Sequence, residues 1–286
     1  MVVSPQNESY MRKCARELLS SLPSSSCPVP LEPLAKARGI KRVTAIKLES
    51  DGFLFNDGTN LILYVNSQLS EPRRRFTCAH EIGHTYFRKS AANEMSPVRG
   101  GASLECRTEF ADYDKEEEYL CDIFAVELLI PRALTESIVN ENGLSFRCMR
   151  RLASAFHVSL SAAAWRMVEL AKENVGILWF KRMGKPTDPS DIKLRLDWGV
   201  FPKRPRMYLP RFDAVSSNSL ISKCFLSRQT LEGYEKLDFG SLRGTQYLVC
   251  KYFQSSPLGN SVLCLVLPEA PQNSRQGPYP VNFPEP

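Results

Sequence analysis

The pentapeptide His80-Glu81-Ile82-Gly83-His84 has the pattern H-E-x-x-H, and it constrains the fold and chemistry of this chain more than any other segment. On a helix, residues i and i+4 lie on one face, so two imidazoles reach one Zn²⁺ at distances of about 2.0–2.1 Å. Glu81 is displaced around the helix, where a general base for a water at the metal belongs. The chain has only 3 His, and two of them lie in this pattern.

The residues around the motif favour a helix that is anchored to a core. Phe76, Ala79 and Gly83 recur at i, i+3 and i+7, which is the spacing of an apolar helical stripe. Gly83 is unfavourable in a helix interior by roughly 1 kcal/mol relative to Ala, so its presence indicates that something packs very close to the metal-binding turn. The alternative interpretation is a surface helix with two unrelated histidines.

A catalytic site of this kind needs a third protein ligand and an open position for water or substrate. The candidates begin an amphipathic helix predicted from Glu116 to Pro131, whose acidic start is Glu116-Glu117-Glu118. A solvated helix N-terminus that the helix dipole favours is the plain explanation of these three glutamates. Spacing alone does not decide which carboxylate would bind the metal.

Together, H-E-I-G-H and E-x-x-C-D-x-F-A-x-E-L-L-I-P resemble the two motifs of the ImmA/IrrE family of metallopeptidases. The first Glu of the second motif is that family's third metal ligand, so the resemblance implies the ligand set His80, His84 and Glu118. The chain departs from the family pattern with Cys121 for Ala, Asp122 for Asn and Ile130 for Met. Asp122 adds negative charge near the metal, either as a partner of a ligand or as a stray ligand.

The predicted fold class is α+β, and residues 1–140 are predicted to form a zincin-like metallopeptidase domain. We expect helices at 10–20 and 31–38, then strands at 43–48 and 61–65 in a small antiparallel sheet, before the metal helix. A sheet edge beside the metal pairs with an extended substrate. Residues 89–112 are polar without a clear period, which indicates a lid or an autoinhibitory flap.

Residues 141–174 are predicted to form a helix-turn-helix-like region, with Ser159 as N-cap of its second helix. Base readout in the major groove needs Arg, Asn, Gln or Lys near the start of that helix. Only Arg166 offers such a group, and it comes late. We therefore expect structural packing rather than sequence-specific DNA binding, and a structural role for His157.

Residues 175–268 are predicted to form a second α+β domain, and the Pro-rich tail 269–286 is expected to be disordered. Some relatives of the family carry a GAF-like domain here, which implies a small-molecule or protein signal. The residues between its elements, 183–191 and 202–210, are predicted to be Pro-rich loops. The expected elements are strands at 175–181, 193–200, 247–253 and 261–267 and a helix at 217–226.

Composition bounds the environment of the chain. No apolar run approaches 18 residues and the start has no apolar signal region, so we expect neither a membrane span nor a signal peptide. The 9 cysteines include no C-x-x-C, which favours reduced thiols and a cytoplasmic location. The net charge of +6 comes from the C-terminal part, and a solvated surface explains it.

We therefore predict a zinc-dependent endopeptidase in which His80, His84 and Glu118 hold the metal, while Glu81 takes a proton from water and delivers it to the leaving amine. Mn²⁺ or Fe²⁺ also suits these donors. The resemblance implies a helix-turn-helix repressor of the XRE type as substrate, cleaved to induce stress-response or mobile-element genes. Two alternatives stay open. One is a metal-binding transcription regulator without protease activity, and the other is an adaptor with a structural, Cys-rich zinc site.

Overall fold

The computed structural model describes residues 4–22, 27–87, 111–171, 175–201, 207–254 and 260–267, with only the backbone of 111–114. The chain divides into two compact units, and both helices and sheets are present, which confirms the α+β class. The predicted lid, except for its last two residues, and the predicted tail lie outside the described residues. Within the described part, no helix has the length and apolarity needed to cross a membrane.

The first unit consists of Met1–Ile138 and Arg150–Ala163. Its elements follow the predicted order of two helices, a small sheet and the metal helix, and then add the helix of Glu118. They are α1 (Pro5–Ser20), α2 (Leu31–Ala37), β1 (Ile40–Ile46), β2 (Gly52–Asn56), β3 (Leu61–Asn66), α3 (Glu71–His84) and α4 (Ala111–Leu129).

The sheet of the first unit is mixed, so the predicted antiparallel sheet is wrong. Its strand order is β1-β3-β2, in which β1 runs parallel to β3 and β2 runs antiparallel to β3. Sequence analysis missed β2, which has only five residues. The Asn56-Asp57-Gly58 turn joins β2 to β3, and the Asp57 side chain accepts hydrogen bonds from the backbone N–H groups of Thr59 and Asn60. The tight turn therefore pairs β2 with β3 in antiparallel orientation. Strand β1 then occupies the other edge of β3, to which it runs parallel.

Three further helices follow, α5 (Arg132–Asn142), α6 (Phe146–Phe156) and α7 (Leu160–Leu170), and the boundary between the two units falls within them. Ser159 caps α7 as predicted, since its Oγ accepts the N–H of Ala162 at 3.1 Å. His157 occupies the left-handed region with φ 51°, and its Nδ1 lies 2.9 Å from Glu71 Oε1 at the start of α3. This contact gives His157 a structural role.

Arg166 of α7 is buried, with 1% of its surface exposed. Its Nη1 donates a hydrogen bond to Glu169 Oε2 at 2.6 Å. The guanidinium therefore forms an ion pair with a residue of its own helix and is not presented for base readout.

The second unit consists of Val139–Met149 and Ala164–Pro286. Its strands are β4 (Gly176–Lys185), β5 (Asp188–Val200), β6 (Leu231–Phe239), β7 (Leu242–Phe253) and β8 (Ser261–Leu267). They form an antiparallel sheet with the order β5-β4-β8-β7-β6. Helix α8 (Leu220–Ser227) packs on one face of this sheet, over the buried side chains of its central strands. Sequence analysis missed β6.

The predicted Pro-rich loop at residues 183–191 is wrong, because those residues form the tip of the β4–β5 hairpin, and only 186 and 187 lie outside the two strands. Pro189 is the second residue of β5, and β5 is an edge strand of the sheet. Proline removes a backbone donor, but near the start of an edge strand that donor is not needed for pairing. The prolines of this segment therefore did not exclude a strand.

We predict that Arg166→Ala lowers the free energy of unfolding by at least about 2 kcal/mol, because it removes one partner of a buried ion pair. Arg147→Ala is the matched control, since Arg147 is an exposed arginine of α6 and should change stability by less than about 0.5 kcal/mol. Chemical denaturation measures both.

Neither wild type nor variant should shift a DNA duplex selectively at physiological salt, and sequence-selective binding lost only in Arg166→Ala would contradict a structural role.

Candidate metal centre

Helix α3 is held firmly at the end that carries the two histidines. Thr85 follows His84, and its Oγ1 donates to the carbonyl of Ile82 at 2.6 Å. The Arg38 guanidinium donates to Thr85 Oγ1 at 2.9 Å and to Thr85 O at 3.1 Å. These bonds satisfy carbonyl groups that a helix C-terminus leaves without partners inside the helix. The last turn of α3 is thereby fixed, and the two imidazoles with it.

The imidazoles of His80 and His84 face one another on α3, with 3.1 Å between their Nε2 atoms. Glu118 of α4 approaches the same point, with Oε2 at 3.4 Å from His80 Nε2 and Oε1 at 3.5 Å from His84 Nε2. Ligand atoms about 2.0–2.1 Å from a tetrahedral Zn²⁺ are separated by about 3.3–3.4 Å. The two Nε2 atoms and the Glu118 carboxylate therefore have separations close to those that a tetrahedral ion would need, although each Glu118 distance involves a different oxygen.

Each imidazole has a second carboxylate at its other nitrogen. His80 Nδ1 lies 2.8 Å from Asp122 Oδ1, and His84 Nδ1 lies 2.7 Å from Glu117 Oε1. A carboxylate accepts a hydrogen bond from Nδ1–H, which leaves the Nε2 lone pair for a metal. Asp122, which the sequence left as a partner or a stray ligand, thus lies where a partner belongs. Glu116 lies apart, where it accepts a hydrogen bond from Asn7 Nδ2 at 2.9 Å.

Glu81 lies beside the donors and is nearly buried, with 5% of its surface exposed. By proximity alone it is a further candidate ligand, because one donor atom each from His80, Glu81 and His84 lie within 4.8 Å of one another. Glu118 approaches both Nε2 atoms, with one carboxylate oxygen 3.4 Å from that of His80 and the other 3.5 Å from that of His84, and the family resemblance points to the same residue. We therefore treat Glu118 as the third ligand candidate and Glu81 as the neighbouring base candidate.

The prediction that another element packs tightly against Gly83 is confirmed. A Cβ at this position would lie 3.2 Å from Phe124 Cδ1 and 3.3 Å from Cys121 Cα, both on α4. Separations this short force the neighbouring atoms to move. The glycine therefore lets α4 approach α3 closely enough for its carboxylates to reach the imidazoles.

The electrostatic environment of the site favours positive charge between the ligands. Burial acts to lower the pKa of His80, but hydrogen bonds to Asp122 and Glu118 outweigh it and raise the pKa. The hydrogen bonds from His80 and His84 hold the pKa of Glu118 well below its usual range. A carboxylate that stays ionised beside two imidazoles is a suitable ligand for a divalent cation.

The nearby cysteines do not resemble structural zinc ligands. Burial raises the pKa of the Cys78 thiol to about 12 and that of the Cys121 thiol to about 11. Burial therefore keeps both thiols protonated in the absence of a metal. Within the described residues, His80, Glu81 and His84 form a group of donors that lie within 4.8 Å of one another, and neither cysteine belongs to it. This arrangement does not favour the adaptor alternative.

Sequence analysis gave Glu117 no role at the site, since it singled out only Glu118 among the three glutamates and offered a solvated helix start as the plain explanation of all three. A correct start for this helix would have pointed to the role of Glu117. Helix α4 begins at Ala111, which places Glu116-Glu117-Glu118 in the second turn of the helix. The helix dipole acts mainly within the first turn, so it does not account for these residues.

Comparison with known proteins identifies the domain that carries this site. Residues 39–168 match the model of the IrrE N-terminal-like domain, a peptidase family, and this range contains both histidines, Glu81 and Glu118. The fold and the donor set thus resemble those of a metallopeptidase-type domain. Over these residues, which are less than half of the chain, the sequence is similar to the ImmA/IrrE family, in agreement with the resemblance seen in the two motifs.

Similar curated proteins match the chain over part of its length. The radiation response metalloprotease IrrE of Deinococcus deserti is 28% identical over 115 residues, which are 40% of this chain and 38% of that protein. The protein of the same name from Deinococcus radiodurans is 29% identical over 117 residues, 40% of this chain and 33% of its own length. The uncharacterized immunity region protein 2 of Bacillus phage phi105 is 34% identical over 80 residues, 28% of this chain and 44% of its own. The chain thus spans less than half the length of each.

A solved structure resembles the chain over a longer range. A Mycobacterium tuberculosis transcriptional regulator aligns with 92% of this chain and 77% of its own, with a TM-score of 0.55 and 12% sequence identity. At this identity the likeness supports the fold alone.

We predict that Glu118→Ala reduces Zn²⁺ affinity by at least about 100-fold, because it removes one of three protein ligands. His80→Ala should do the same. Glu116→Ala is the matched control, since Glu116 also lies on α4 but contacts Asn7. The Zn²⁺ affinity of this variant should stay near that of wild type. Competition with a chromogenic chelator measures all four proteins. If Glu116→Ala weakens binding and Glu118→Ala does not, the ligand assignment is wrong.

Proposed function

We propose that the chain is a metal-dependent endopeptidase that hydrolyses a peptide bond in a regulatory protein. The observation that carries the proposal is the convergence of two Nε2 atoms and the Glu118 carboxylate, at 3.1 to 3.5 Å from one another, beside the buried Glu81. Zn²⁺ suits this mixture of nitrogen and oxygen donors, and Mn²⁺ or Fe²⁺ suits it as well.

In this proposal, each residue has a separate task. A bound divalent metal supplies Lewis acidity, which lowers the pKa of water and polarises the scissile carbonyl group. The Glu81 carboxylate accepts a proton from the attacking water and delivers it to the leaving nitrogen. Asp122 and Glu117 hold the imidazoles of His80 and His84 in the orientation that directs both Nε2 atoms toward Glu118.

Strand β2 is the proposed docking edge for the substrate backbone. It is an edge strand of the sheet, and it lies against the turn of α3 that precedes His80. A Cβ at Gly52 of β2 would lie 2.6 Å from Thr77 Cγ2 on α3. An extended peptide that adds to this edge forms main-chain hydrogen bonds with β2 and passes beside the metal helix.

The proposed substrate is a helix-turn-helix repressor of the XRE type, in the cytoplasm. Two similar proteins are named as radiation response metalloproteases, and a third as an immunity region protein of a phage. These names support cleavage that induces stress-response or mobile-element genes. Because the chain spans less than half of each relative, the shared domain supports the chemistry of this proposal more directly than its target.

The proposed layout keeps the metallopeptidase domain at residues 1–140, the helical region at 141–174 and a GAF-like regulatory domain at 175–268, which would receive a small-molecule or protein signal.

The rival function, a metal-binding transcription regulator without protease activity, is disfavoured by the burial of Arg166 and its ion pair with Glu169. That arginine was the only candidate for base readout on α7, so direct DNA recognition by this helix has little support.

We predict that Glu81→Gln keeps the fold and the metal but loses peptidase activity by roughly 10²–10⁴-fold, because Gln cannot accept the proton. A candidate XRE-type repressor is incubated with metal-loaded wild type or variant, and fragments are quantified by mass spectrometry. The Glu116→Ala variant serves as the matched control and should cleave like wild type. If Glu81→Gln relieves repression as well as wild type, and neither protein cuts the repressor, the regulator function replaces the peptidase.

A further inference from the structure

A pair of cysteines in the second unit lies outside the metal site. Cys250 of β7 and Cys264 of β8 are both fully buried, in the core that α8 covers. Their sulfur atoms lie 2.7 Å apart. This separation is shorter than the roughly 3.5–4.0 Å at which non-bonded heavy atoms attract most strongly. Two sulfur atoms this close are positioned for a covalent bond.

The backbone already has the spacing that such a bond needs. Cys250 and Cys264 are direct partners in the antiparallel pairing of β7 with β8. Directly opposite residues of antiparallel strands have Cα atoms about 4.5 or 5.5 Å apart. Disulfides span Cα separations of about 4.4–6.8 Å, so the pairing of the two strands places the cysteines within the range that the bond needs.

A third thiol nearby does not compete equally for the pair. Cys224 of α8 belongs to the same core. Its Sγ donates a hydrogen bond to the carbonyl of Gln229 at 3.0 Å, which directs it toward the end of the helix. The geometry therefore favours Cys250 and Cys264 as partners of each other rather than of Cys224.

We propose that Cys250 and Cys264 form a reversible disulfide, a modification site in the second unit that peroxide oxidises and a dithiol reduces. One thiolate attacks an oxygen of the peroxide, the O–O bond breaks, and a sulfenic acid and one water result. The other thiolate then attacks the sulfenic sulfur, so the S–S bond forms, the S–O bond breaks and a second water leaves. The two thiols lose two electrons and two protons, and the peroxide takes up both.

Burial determines how quickly the pair reacts, and proximity determines the product. Burial raises the pKa of Cys264 and that of Cys224, which lowers the fraction of reactive thiolate. Cys264 therefore reacts slowly with peroxide. Once one sulfur is oxidised, its neighbour is closer than any thiol in solution, so the intramolecular disulfide is the expected product.

The consequence is a sheet whose stability depends on the redox state. Strands β8 and β7 are adjacent in the middle of the order β5-β4-β8-β7-β6. A disulfide between them closes a loop in the unfolded chain and so lowers the conformational entropy of the unfolded state. Oxidation should therefore raise the melting temperature of the second unit without changing its fold.

The test treats the full-length native protein with hydrogen peroxide, then denatures it, alkylates the remaining thiols and maps peptides by mass spectrometry. The expected result is a peptide pair linked through Cys250 and Cys264, in wild type and in Cys224→Ala but not in Cys250→Ala. The melting temperature of oxidised wild type should rise by roughly 5–10 °C and should return after dithiothreitol treatment.

Exposed Cys27 serves as an internal control, because it shows that the oxidant is active. If Cys27 is oxidised while Cys250 and Cys264 both remain fully alkylatable after prolonged exposure, the proposal is wrong. A link that joins Cys224 to either partner, or a link between two chains, also contradicts it. The wild-type peptide map decides the question even if a variant folds poorly.

Discussion

The site depends on how closely α4 approaches α3 at Gly83. A Cβ at that position would lie 3.3 Å from Cys121 Cα, so a larger residue would require the atoms of α4 beside it to give way by a few tenths of an ångström. Cys121 lies in the same stretch of α4 as the acidic residues of the site. The small residue on one helix therefore sets the reach of the carboxylates on the other. Its cost in helix propensity, about 1 kcal/mol, is offset by the packing it permits.

The close approach concentrates charge as well as atoms. Glu117, Glu118 and Asp122 come from little more than one turn of α4, and all three contact the imidazoles of α3. Three carboxylates in one place repel one another unless positive charge lies between them. Two imidazoles with raised pKa values, or a divalent cation between them, provide that charge. Tight packing and cation binding thus support each other.

Local patterns predicted much of the site, while tertiary contacts decided the rest. The spacing of His80, Glu81 and His84 was sufficient because it is a property of one helix. Glu118 needed the family resemblance, since its relation to the histidines depends on how two helices pack. Glu117 was missed because the start of α4 lies within a segment that showed no clear period. Likewise, β2 was too short for a pattern, and the parallel pairing of β1 could not be inferred without it.

The most direct test of the proposed metal centre is a crystal structure of the zinc-loaded protein, with an anomalous difference map recorded at the zinc absorption edge. The account predicts one peak about 2.0–2.2 Å from Nε2 of His80, Nε2 of His84 and an oxygen of Glu118, with Glu81 outside the coordination sphere. A peak coordinated by Glu81 or by a cysteine instead, or no peak at these residues, would contradict it.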